Sequence, residues 1–68
     1  MLVNVLGETI KQRRKELGIT QPDLAELAKV GLNTLYLIEK GKVNPSLAVI
    51  NKLVEVLGME LKLEVKKQ

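Results

Sequence analysis

The sequence predicts an all-α domain of four short helices followed by one C-terminal β-strand, which is expected to pair with its own copy across a dimer. Three observations carry that expectation. Up to Leu57 the apolar residues recur at the spacing of three and four that marks one face of a helix. Gly18, Gly41 and Gly58 interrupt these runs where a helix is expected to stop. From Met59 the period drops to two: Met59, Leu61, Leu63 and Val65 alternate with Glu60, Lys62, Glu64 and Lys66. Period two is the mark of a strand with one buried face. Nothing earlier in the chain alternates in this way, and a lone strand leaves its backbone groups unpaired. Residues 1–58 are therefore read as the helical domain and 59–68 as a dimerisation strand and tail.

Each helix has its own justification. The first, about Asn4 to Leu17, places Leu6, Ile10 and Leu17 on one stripe and stops at Gly18. The second opens on "TQPDLAELA". Thr20 can cap, Asp23 follows three residues on, and Pro22 is tolerated in a first turn where its missing N–H has no partner. Leu24, Ala25, Leu27 and Ala28 supply its apolar side. The third runs from Leu32 to about Lys40 and ends at Gly41. The fourth runs from "NPS", where Ser46 can cap, to Leu57. On it Leu47, Ile50, Val54 and Leu57 form one stripe that closes the domain, and Val49, Leu53 and Val56 form a second.

Composition excludes several classes of function. The 68 residues suffice for one small domain. No apolar run approaches the roughly 20 residues of a membrane span. The start, "MLVNVLGETIK", lacks the basic region of a secretory signal, so a cytoplasmic location is expected. There is no His, no Cys and no carboxylate cluster at metal spacing, so neither catalysis nor a metal or other cofactor is expected. Tyr36 is the sole aromatic residue, which argues against base stacking on single-stranded nucleic acid. A net charge of +3 leans weakly toward an acidic partner.

Helices two and three, joined at about Ala28 to Gly31, form a helix-turn-helix arrangement. From Thr20 to Gly41, "TQPDLAELAKVGLNTLYLIEKG" resembles the lambda repressor/Cro-type (Xre-like) helix-turn-helix family. The likeness extends from "RRKELGITQ" to "NPSLAVINKLVEVLG" and so covers nearly the whole chain. It rests on Arg14, Gln21, Leu24-Ala25, Leu35, Ile38, Glu39-x-Gly41 and Asn44-Pro45-Ser46-Leu47. The resemblance implies a transcriptional regulator, a repressor, that binds double-stranded DNA through helix three. It also implies a structural tie between Arg14 and Glu39.

Leu35 and Ile38 share the inward face of helix three, which puts Asn33, Tyr36, Leu37 and Lys40 outside, on the side expected to enter the major groove. Asn33 can pair bidentately with adenine, and Leu32 or Leu37 can touch a thymine methyl. Leu32 can instead close the edge of the core, and Leu37 can instead dock on a protein, so an adaptor that binds a partner protein is the alternative reading. Gln21 at the start of helix two, with Lys40, Lys42 and Asn44 after helix three, is expected to hold phosphates. Lys29 stands where the family usually has glycine, and Gly31 is expected to take the awkward backbone angle of that turn.

The expected homodimer contact consists of Val49, Leu53 and Val56 on helix four with Met59, Leu61, Leu63 and Val65 on the strand. The ending "LGMELKLEV" also resembles HipB-like antitoxins, a branch that dimerises through such a strand. That narrower likeness implies a HipA-type kinase toxin as a further partner.

Overall fold

The computed structural model describes residues 2–62, with side chains from Val5 onward. Within them the chain forms α1 (Leu2–Glu16), α2 (Gln21–Ala28), α3 (Leu32–Glu39) and α4 (Leu47–Val56). The expected strand residues Leu63 and Val65 lie outside the described part. Met59 to Lys62 forms neither helix nor strand in the single chain.

The helix starts follow the cap chemistry in the sequence. The Thr20 hydroxyl accepts a hydrogen bond from the Asp23 N–H (3.2 Å), and the Ser46 hydroxyl accepts one from the Val49 N–H (3.2 Å). Each satisfies one of the donors that a helix start leaves without an intrahelical partner.

The helix ends share one device. After α1, the Gly18 and Ile19 N–H groups donate to the Lys15 and Arg14 carbonyls. The same double closure recurs with Gly41 and Lys42 after α3, and with Gly58 and Met59 after α4. In all three the glycine has a positive φ, near 70°. This is a Schellman end, which needs one left-handed residue. Three of the residues that follow the left-handed position, Ile19, Val30 and Met59, are apolar and pack on the core.

The turn between α2 and α3 departs from expectation. Lys29 itself takes the left-handed angle (φ 57°), while Gly31 is extended (φ −60°) and caps α3 without a side chain. The reason is positional: the Lys29 and Val30 N–H groups close α2 onto Glu26 and Ala25, so the left-handed residue must be number 29. A left-handed L-residue costs roughly 1–2 kcal/mol. Lys29→Gly relieves that strain but adds freedom to the unfolded chain. We expect a net gain of about 0.5–1 kcal/mol in urea unfolding, with DNA preference unchanged. A loss of stability would show that the lysine side chain holds the turn.

The core comprises Ile10, Leu24, Ala25, Ala28, Leu35, Ile38, Ile50, Leu53, Val54 and Leu57. Leu53 is a correction: it is 0 % exposed within its own chain, so it cannot serve a dimer surface. The buried stripe of α4 is Ile50, Leu53, Val54 and Leu57, the spacing of a single helical face. Leu47, expected on that stripe, sits at the first position of the helix and is 67 % exposed. Leu17 and Leu27, also assigned to inward faces, are exposed as well. Gly7 is buried where α1 meets the end of α3. A Cβ there would collide with the carbonyl oxygen of Ile38, so only glycine lets the two backbones approach this closely.

Candidate nucleic-acid interface

A buried polar knot fixes α3. Arg14 Nε and Nη2 donate to the two carboxylate oxygens of Glu39 at 2.8 and 3.0 Å, and Arg14 Nη1 donates to the Ile19 carbonyl at 3.0 Å. Gln21 Nε2 adds a bond to Glu39 Oε1 at 3.1 Å. Arg14 and Glu39 are both buried, yet no buried side-chain polar atom among the described residues lacks a partner. Hydrogen bonding to Glu39 raises the Arg14 pKa above its ordinary value; burial opposes this, and the carboxylate charge reinforces it. The knot joins α1, the start of α2 and the end of α3, and so sets the angle at which α3 is presented.

The opposite side of α3 is open. Leu32, Asn33 and Tyr36 are exposed, and Leu37 is half-buried at the margin. Leu32 is 48 % exposed and therefore does not complete the core. With Gln21 and Pro22 of α2, Leu32, Asn33 and Tyr36 line a shallow cleft of about 490 Å³. The Lys40 ammonium lies 5.1 Å from the centre of the Tyr36 ring, a cation–π contact that keeps the charge at the cleft margin. Lys42 and Asn44 follow, both exposed.

The structure redirects one expected contributor. The Gln21 amide is turned inward to Glu39, which leaves its backbone N–H at the helix start as the group able to face an anion. Arg13 is turned toward the helices: it donates through Nε to the Leu57 carbonyl at 2.9 Å and pairs with Glu16 at 3.3 Å. The first of these bonds ties α1 to the end of α4. Lys11 and Lys15, four apart on α1, line a recess together with Tyr36 and Lys40, which brings further positive charge beside the open face. Local spacing gave no signal for the Arg13–Leu57 or Gln21–Glu39 bonds, because those partners are 44 and 18 residues apart. Gly7 did carry a signal, since a glycine inside a helical run usually has a packing reason.

These features, a short helix pair with one member buried on its inner side and bare on its outer side, define a helix-turn-helix domain. A family model described as Helix-turn-helix matches residues 10–63. The chain belongs to this family, of the Xre/lambda-repressor type, and it is not an enzyme. It is 43 % identical over 51 residues to an uncharacterised HTH-type transcriptional regulator of Methanothermobacter thermautotrophicus, a match covering 75 % of this chain and 74 % of the relative. A putative HTH-type transcriptional regulatory protein of Methanococcus vannielii is 37 % identical over 59 residues, 87 % of this chain but 18 % of that protein. The immunity repressor protein of Bacillus phage phi105 is 38 % identical over 56 residues, 82 % of this chain and 39 % of the repressor. This chain thus spans less than half of those last two proteins. Among its described residues, no helix is long and apolar enough to cross a membrane.

Proposed function

We propose that this protein is a sequence-specific regulator of transcription, a repressor that binds a two-fold operator as a homodimer. The observation that carries the reading is the bare outer face of α3, where Asn33, Leu32 and Tyr36 stand clear of the core beside the start of α2. A helix presented in this way fits the major groove. Asn33 reads a base edge, and Leu32, Tyr36 and Leu37 make apolar contacts. Lys40, Lys42, Asn44 and the Gln21 backbone hold phosphates. The relatives' names, transcriptional regulators and an immunity repressor, support the same reading.

Dimerisation is supported by what α4 and the chain beyond it leave over. Val49, Val56 and Met59 are only partly covered, and the alternating apolar residues Leu61, Leu63 and Val65 follow directly. Two such segments paired about a two-fold axis would cover one another. The resemblance of the ending "LGMELKLEV" to HipB-like antitoxins further supports a HipA-type kinase toxin as a second partner. Co-expression with any kinase-like product of an adjoining reading frame, followed by co-purification, tests that part.

The DNA reading is tested by comparing two variants. Asn33→Ala should cost about 1–3 kcal/mol at one base pair per half-site and relax preference there. Lys42→Ala should weaken binding to every sequence and reduce the salt slope by about one. If both variants lose affinity uniformly across sequences, Asn33 is not a base reader. Binding that ignores both salt and sequence would favour the adaptor role instead.

A further inference from the structure

We infer that Arg13 is a positioning residue for the dimer: it aims the C-terminal segment relative to α3 and so sets the half-site spacing that the protein accepts. This rests on the operator-binding homodimer proposed above and names the residue that fixes its geometry. Arg13 and Arg14 are neighbours on α1, yet they hold different elements. Arg14 binds Glu39 at the end of α3, and Arg13 Nε donates to the Leu57 carbonyl at the end of α4 (2.9 Å). Arg13 Nη1 meets Glu16 at 3.3 Å, and Nη2 lies 3.7 Å from where a Cβ on Gly58 would stand. The guanidinium thus lies over the peptide at which α4 gives way to the segment. α1 is in turn seated on α3 at Gly7, where the backbones approach too closely for a Cβ. One helix therefore links the reading helix to the start of the proposed dimer contact.

The Arg13 bond is not what closes α4. That closure is made by the Gly58 and Met59 N–H groups on the Glu55 and Val54 carbonyls. The Arg13 bond instead fixes the orientation of the Leu57–Gly58 peptide, and a cation there suits the negative end of the α4 dipole. Beyond that peptide little holds the chain. Met59 packs on the core, but Glu60, Leu61 and Lys62 are exposed and make no backbone hydrogen bond among the described residues. A segment that must be ordered on pairing costs less to order when its first peptide is already aimed. An aimed segment also fixes the two-fold axis, and with it the separation of the two α3 helices. Half-site spacing on the duplex mirrors that separation.

The test uses the full chain and the duplex it selects from a randomised pool, remade with one base pair added or removed between the half-sites. Wild type should prefer the selected spacing by roughly 10²-fold, the worth of a linked second contact. Arg13→Ala should lose about tenfold on the selected spacing, the worth of one net hydrogen bond per protomer. It should lose little on the remade duplexes, so its discrimination shrinks, and it should bind a single half-site as wild type does. Arg13→Lys, which keeps a donor and a cation, should restore part of the discrimination. Ser46→Ala, which removes the cap at the opposite end of α4, controls for stability and should discriminate like wild type. If Arg13→Ala keeps full discrimination, or loses affinity equally at every spacing and on the single half-site, Arg13 positions nothing and the dimer reading stands. If wild type itself binds all spacings alike, the dimer reading fails and takes this inference with it.

Discussion

An Arg14→Ala protein should unfold roughly 3–5 kcal/mol more easily than wild type, because the substitution leaves Glu39 charged, buried and without its main partner. A domain of this size holds only about 3–10 kcal/mol of stability. The loss is therefore at least about a third of the total, and the variant should unfold at a clearly lower temperature and urea concentration. The guanidinium bonds three acceptor atoms, the two Glu39 oxygens and the Ile19 carbonyl, and alanine replaces none of them. Because pairing raises the Arg14 pKa, this contribution is complete below the ordinary arginine value and is lost only in strong alkali. Acid or neutral pH should not modulate it through Arg14. Replacing both partners with methionine should recover much of the loss, since apolar groups of similar volume often substitute for a buried pair. Urea unfolding followed by circular dichroism measures all of these effects. An Arg14→Ala protein that melts like wild type yet fails on DNA would place Arg14 at the phosphates.

Removal of residues 60–68 should abolish tight operator binding while leaving the helical domain folded. The cut falls after Met59 for a structural reason: the Met59 N–H closes α4 onto the Val54 carbonyl at 2.8 Å, and its side chain packs on the core. Without the alternating segment, Val49 and Val56 lose their proposed cover and the two-fold contact fails. A single α3 then grips one half-site, with no second helix about 34 Å along the duplex. Losing that linked contact removes roughly 10²–10⁴ in affinity. Leu63→Lys, which places a charge on the expected buried face, should act in the same direction. Sedimentation should report a monomer for each variant. A truncated chain that remains a dimer with wild-type affinity would show that the two-fold contact lies elsewhere.

The helices and their ends were legible because caps and glycines act locally. Thr20, Ser46, Gly18, Gly41 and Gly58 each do their work within a few residues. Face assignment was harder wherever a helix is only eight or ten residues long, as α2, α3 and α4 are. Over two or three turns, shifting the apolar stripe by one position moves Leu53 from the core to the surface and brings Leu47 inward, and the pattern alone hardly separates the two choices. Lys29 was misread because glycine usually supplies a left-handed angle. The closure of α2 needs that angle at position 29 whatever residue stands there. Within the site, Asn33 and Tyr36 follow from their offset to Leu35 and Ile38. The cleft wall formed by Pro22 and the inward turn of Gln21 arise only when α2 and α3 are placed together.

The central claim, that the outer face of α3 with the start of α2 meets DNA, is open to one direct measurement. Backbone amide shifts of the isotope-labelled protein are followed as its selected duplex is added, at low and at raised salt. The account predicts the largest changes at Gln21, Leu32, Asn33, Tyr36, Lys40 and Lys42, fading as salt displaces the duplex, with the core residues of α4 nearly silent. Changes centred on α4, or none beyond those of an unrelated duplex, would contradict it.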